Sequence, residues 1–250
     1  MNWGTENKRQ TMAPHIVASF DAELQKLAAL VVDMGAKVGA QIESAATALR
    51  TRDPEMARDI VTADKAIDAQ QARIEDTVIQ MIAKRQPVAI DLRETVATLK
   101  IATDLERMGD LAKNNAKRVI AMSASAQPAG MGANLDTLST RAFDQFSGVM
   151  QAYARRDKEL AYAVWSSDGE IDTLHTALFR ELLTYMMEDP RSIGYCAHLL
   201  FCAKNLERIG DHATNIAENV HYIATGQFPS GDRPKGESPS NDRASGGLEK

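Results

Sequence analysis

Apolar residues return at helical spacing through most of this chain. Between Val17 and Arg50 they fall at Leu24, Leu27, Leu30/Val31, Met34, Val38 and Ile42, with no proline among them. That pattern predicts one amphipathic helix about 50 Å long at 1.5 Å per residue. Gly35 and Gly39 either weaken it locally or, being small, let a neighbour pack close. Asp53 and Pro54 suit an N-cap and a first helical position, opening a second helix to about Arg85. Asp91 and Glu94 have capping-box spacing and predict a third helix to about Met122. The small-residue stretch SASAQPAGMGAN then marks a linker over 124–134. Beyond it the spacing predicts helices from about Leu135 to Arg155, Lys158 to Met187 and Arg191 to Thr225, the last opened by Asp189 and Pro190. The chain reads as all-α.

It also repeats itself. RDPEMARDIVTADKAID (52–68) aligns without a gap to RDKELAYAVWSSDGEID (156–172) at an offset of 104, and LERMGDLAKNN (105–115) aligns to LERIGDHATNI (206–216) at 101. Internal repetition of this length predicts two similar three-helix bundles in tandem, six long helices in all, over 15–123 and 135–226. A chain of 250 residues accommodates two such units of about 100 residues each. Residues 1–14 are expected to be a disordered tail, and so are 227–250, which are too polar and too rich in Pro, Gly and Ser to pack.

Composition narrows the function classes. Aromatics are 5% of residues while Ala, Leu, Ile and Met are plentiful, which favours helices; Trp165, Phe179, Tyr185 and Phe201 are expected in the core. A formal charge of −5 argues against a nucleic-acid binder, whose affinity rests on a dense basic surface. Cys196 and Cys202 match neither a redox pair nor a zinc knuckle, which fits a reduced, cytoplasmic setting. The first residues lack the apolar run of a secretory signal, and no apolar run of about 18 residues predicts a membrane span.

The repeated phrases carry the candidate chemistry. Asp64/Asp68, Glu106/Asp110, Asp168/Asp172 and Glu207/Asp211 are each an acid, three residues, then aspartate. Residues four apart share a helix face, so each pair sets like charges together, at about 0.2–0.5 kcal/mol in an isolated helix. Glu207, Asp211 and Asn215 fall roughly opposite the apolar stripe Cys202, Leu206, Ile209, Ala213 and Val220; the middle-helix pairs flank theirs, as beside Ile60, Ile67, Ile74 and Val78. Oxygen-only clusters suit hard cations such as Mg²⁺ or Mn²⁺, or iron where carboxylates bridge several ions.

A single such pair is adequately read as a solvated acidic face, with Arg107 and Arg208 pairing at i+3 to Asp110 and Asp211. Four pairs in register across a duplication point to a bound cation instead. A ferritin-like di-iron site draws Glu-x-x-His from two helices, and the repeated phrases lack it. There is no Gly-rich phosphate loop, nucleophile elbow or zinc signature. Binding is therefore favoured over a carboxylate-bridged metalloenzyme, which stays the alternative. His175, His198, His212 and His221 read as surface or packing residues.

The duplicated LERxGD, AKRQP at 83–87, LTYMMEDPRSI at 183–193 and LFCAKNLERIGDHATNI at 200–216 resemble the PhoU family of bacterial phosphate-uptake regulators, over about residues 15–226. The resemblance implies two similar three-helix bundles and a non-enzymatic cytoplasmic regulator. Such regulators couple the high-affinity phosphate ABC transporter, through its ATPase subunit, to a sensor histidine kinase and its response regulator. They hold the phosphate-starvation (Pho) regulon off, restrain uptake, form homodimers and meet the membrane only through partners. The family's E(D)xxxD motifs bind metal clusters, and they map onto Asp64, Asp68, Glu106, Asp110, Asp168, Asp172, Glu207 and Asp211, with Asn114 and Asn215 as further ligands. The resemblance implies Mg, Mn, Fe or Zn there.

Overall fold

Helix α1 (Met12–Thr51) buries Leu24, Leu27, Val31, Met34, Val38 and Ile42, the stripe its spacing predicts. A computed structural model describes residues 12–123 and 133–230, and every regular element among them is helical. Most of the linker over 124–134, residues 1–11 of the N-terminal tail and 231–250 of the C-terminal tail lie outside the described residues. Residues 12–14, assigned above to the tail, belong to α1.

After α1 the chain turns at Arg52 (φ 57°), and the Asp53 carboxylate accepts from the amides of Glu55 (2.9 Å) and Met56 (3.0 Å), satisfying two orphan donors of α2 (Pro54–Ala63). The second half repeats the device at the offset of 104: Arg156 has φ 52°, and Asp157 accepts from Glu159 and Leu160 amides, both at 3.0 Å. Asp53→Ala and Asp157→Ala are each expected to lower the unfolding free energy by about 0.5–2 kcal/mol, measured in urea.

The middle helix predicted to run to Arg85 is two segments, α2 and α3 (Lys65–Arg85), meeting at Asp64. Asp64 itself keeps helical dihedrals (φ −55°, ψ −32°), so the two segments continue one rod with a local interruption. Helix α4 (Ala89–Met122) begins before Asp91, which is therefore not its cap: Val88 is extended after Pro87 and starts the helix, leaving Asp91 in the first turn, where its charge complements the helix dipole. In the second half α5 (Ala133–Arg155) is followed by α6 (Lys158–Ser166) and α7 (Asp168–Glu188), again one rod interrupted, at Ser167. There the Ser167 hydroxyl donates to the Val164 carbonyl at 2.8 Å, the kind of back-bond that bends a helix. Asp189 caps a short 3₁₀ turn (Pro190–Ser192) through the Arg191 amide, and α8 (Ile193–Thr225) follows.

The two trios are packed side by side into one continuous apolar core. Helices α4 and α8 form the central seam and run antiparallel, since the partners of rising α4 positions descend along α8. His212 Nδ1 lies 2.9 Å from Asp104 Oδ1, Asn205 donates to Asn115 at 2.8 Å, and Arg118 and the His198 ring nitrogen are 3.3 Å apart. Alongside, α1 meets α5 at the two glycines: a Cβ on Gly35 would lie 2.3 Å from Met150 Cε, and one on Gly39 2.8 Å from Phe146 Cε1. Their smallness is what lets the halves approach.

Trp165 is core, and Phe179 and Tyr185 are half-buried. Phe201, expected in the core, is 54% exposed and lies beneath the Arg118 guanidinium, 4.2 Å from it. The chain also stays ordered past α8: Gly226 (φ 81°) ends the helix and Phe228 stacks on Tyr222 with ring centroids 4.5 Å apart. Gln227 and Phe228 are thus held against α8, although they were assigned above to a disordered tail. No helix among the described residues is long and apolar enough to cross a membrane.

Candidate functional site

Turning about 100° per residue, α4 directs Asp104, Met108, Leu111, Asn115 and Arg118 toward the seam and Glu106 and Asp110 away from it. Helix α8 does the same with Glu207 and Asp211. Each third-helix pair therefore faces the interrupted middle rod of its own half. Both clusters are more enclosed than the pattern suggested. The Asp64 side chain is 4% exposed, Glu106 16% and Glu207 13%.

In the first half Asp110 lies beside Glu106, Asp68 acts on it by charge alone, and Asp64 is joined to Asp110 through Lys113. The Glu106 carboxyl is pushed above the usual range by burial, then by the Asp110 charge beside it, with a smaller push from Asp68. Arg107, predicted to pair with Asp110, instead lies 3.6 Å from Glu106, and Asp110 pairs with Lys113. The Lys113 ammonium bridges Asp64 on the middle rod and Asp110 on its own helix. Burial works against its charge, but the hydrogen bonds to Asp110 and Asp64 outweigh that and hold its pKa above the ordinary lysine value. Gln41 on α1 completes the arrangement, donating to Asp64 Oδ1 at 2.9 Å and to the Gly109 carbonyl at 3.0 Å.

In the second half burial pushes the Glu207 carboxyl up. A hydrogen bond from Lys204 at 2.7 Å opposes the shift, and the Asp211 and Asp172 charges add to it. Asp168 opens α7, and its side chain lies outside the described part of the structure. Glu207 Oε2 is buried and has no hydrogen-bond partner. Gln145, the repeat mate of Gln41, donates to the Thr214 hydroxyl at 3.1 Å. The two asparagines part company. Asn114 is exposed, whereas Asn215 turns to the seam, its amide 3.5 Å from Asp104 Oδ1.

Oxygen-only donors in this number suit a hard cation. Among the described residues, however, no three His, Cys, Asp or Glu side chains converge on one point. The first cluster does not fit a metal as arranged, because an ammonium already holds Asp64 and Asp110. The second fits better: Lys204 holds one Glu207 oxygen, but the other is a buried acceptor without a partner, which a cation would satisfy.

Pattern reading missed Lys113, Gln41 and the seam pair Asp104/His212. Gln41 and Gln145 align at the offset of 104 that also relates the middle-helix acids, which is a usable signal. Lys113 stands three residues after Asp110, at ordinary ion-pair spacing, and nothing in one helix reveals that it also reaches Asp64.

Fold and faces together define an internally duplicated all-helical protein, two fused three-helix bundles with acidic clusters where the middle and third helices of each meet. Residues 31–119 and 135–220 each match the PhoU domain. A phosphate-specific transport system accessory protein PhoU homolog of Rhizobium meliloti is 48% identical over 226 residues, covering 90% of this chain and 95% of its own. The phosphate-specific transport system accessory protein PhoU of Escherichia coli is 35% identical over 214 residues, 85% of this chain and 88% of its own. The crystal structure of PhoU from Pseudomonas aeruginosa matches with a TM-score of 0.81 at 34% identity, covering 83% of this chain and 100% of that one. This chain belongs to the PhoU family.

Proposed function

We propose that this protein is a non-catalytic accessory regulator of a high-affinity phosphate ABC transporter. It docks on the transporter's ATPase subunit from the cytoplasm and restrains uptake when phosphate is plentiful. Through a sensor histidine kinase and its response regulator it holds the Pho regulon off, acting as a homodimer. The observation that carries the reading is similarity over 90% of the chain to a relative named for the phosphate-specific transport system. Long helical faces and a bistable partner are enough for such control without chemistry, provided the regulator binds the partner's two states with different affinity, because equal binding shifts nothing.

A divalent cation, Mg²⁺ or Mn²⁺, belongs in this reading at the second cluster, where the unpartnered Glu207 oxygen would be its first ligand and Asp172 and Asp211 would have to close on it. Iron or zinc fits the oxygen-only donors less well. The ion would neutralise charge that the fold concentrates there and fix α7 against α8.

Deleting the gene and assaying a starvation-induced phosphatase in phosphate-rich medium tests the regulatory reading. Derepressed phosphatase is the expected result. Basal activity unchanged from the parent would overturn it.

A further inference from the structure

The two acidic clusters are not chemically equivalent, and the difference traces to one position of the repeat. At the offset of 101 that aligns the third helices, Lys113 corresponds to Thr214. The scaffold around the two positions shares two features. Gln41 and Gln145 are repeat mates, and a Cβ on Gly109 would lie 3.1 Å from Ile67 Cδ1 while one on Gly210 would lie 2.7 Å from Ile171 Cδ1, so each third helix presses its middle rod at the same point.

What fills the space differs. In the first half a charged group, the Lys113 ammonium, ties Asp64 on one rod to Asp110 on the next, with the Gln41 amide on the remaining side of Asp64. In the second half Thr214 offers a neutral hydroxyl, which donates to the Gly210 carbonyl at 3.2 Å and accepts from Gln145. Lys204, the ammonium paired with Glu207, is 54% exposed and lies one turn away along the same helix. An ammonium with three donors among carboxylate oxygens does for a cluster what a hard cation does: it cancels charge and joins the elements that supply the oxygens. A divalent ion entering the first cluster would meet that positive charge at contact distance, and the second cluster offers no buried counterpart at the same position.

We propose that the first cluster is closed by the protein's own cation, Lys113 standing where a metal ion would otherwise sit, so that metal-dependent order belongs to the second half alone. This deepens the metal reading given above and rests on it only for the second half.

Mn²⁺ titration of the chelator-treated full chain, with the unbound ion followed by electron paramagnetic resonance, tests the assignment. The Asp68→Asn/Glu106→Gln variant is expected to bind as many ions as wild type. Lys113→Thr is expected to bind one more ion per chain, and adding Asp68→Asn/Glu106→Gln to it should remove that gain. Thr214→Lys, which moves the ammonium into the second half, should bind one fewer than wild type and gives a reading even where Lys113→Thr does not fold. Loss of bound Mn²⁺ in Asp68→Asn/Glu106→Gln with Lys113 in place would overturn the proposal. So would an unchanged count in Lys113→Thr that retains its helical circular dichroism. Should wild type bind no Mn²⁺ at all, the metal reading of the second cluster fails, and the gain in Lys113→Thr still decides the role of Lys113.

Discussion

Lys113→Met is expected to lower the free energy of unfolding by about 3–5 kcal/mol, the cost of removing one partner from a buried ion pair. The Asp64 side chain is 4% exposed and Lys113 19%, so losing the ammonium leaves a desolvated carboxylate with the Gln41 amide as its remaining donor. Urea unfolding at neutral pH measures the difference. Arg141→Met supplies the contrast: Arg141 and Glu170 are 49% and 57% exposed, and removing that pair should cost no more than about 1 kcal/mol. In an Asp64→Asn background the Lys113→Met penalty should shrink, since the charge it strands is already gone. The pH dependence follows from the direction of the lysine shift. A lysine whose folded pKa is raised contributes its full stabilisation below the unfolded value of about 10.4 and loses it only as pH climbs through the folded one. The deficit of Lys113→Met is therefore expected to be the same at pH 6 and pH 8.

Leu105→Ala should cost about 2–5 kcal/mol, the range for truncating a fully buried leucine. Leu105 is 0% exposed, on the helix that faces both α1 and α8. Its position predicts the form of the loss as well as its size. If the halves were loosely joined, a cavity in the first would leave the second intact; with one continuous core and α4 packed along α8, both should melt together. Trp165 lies in the second half, 4% exposed, with its indole N–H donating to Glu218 at 3.0 Å. In a Trp3→Phe background, Trp165 fluorescence should shift to lower urea together with the circular dichroism. A fluorescence midpoint left at its wild-type value would contradict the joined core.

Much of this architecture was legible in the residues because helices announce themselves through periodicity, and because a duplicated chain states each structural sentence twice. Asp53 caps as its position predicts, its repeat mate Asp157 does the same, and the stripe of α1 is buried as written. The failures share a cause. Asp91 has the spacing of a capping box, but the Pro87-Val88 step places the cap three residues earlier, and spacing cannot see a backbone already committed. Phe201 has a core residue's chemistry but lies off the buried stripe of its helix, which runs through Leu199, Cys202 and Leu206. Arg107 and Lys113 both stand three residues from Asp110, one before and one after; only the approach of Asp64 from another helix selects the lysine. Local pattern therefore located the acids and left their partners to the tertiary fold.

The seam between α4 and α8 carries one more consequence. Asp104 meets His212 and Asn115 meets Asn205, yet the repeat mate of Asp104 is Asn205, and that of Asn115 is Ile216. Two first halves docked in the same way would set Asp104 against Leu111, a polar group against an apolar one. At this point the first trio's surface is thus matched to its sibling and not to a second copy of itself, so the seam distinguishes the two halves of the duplication.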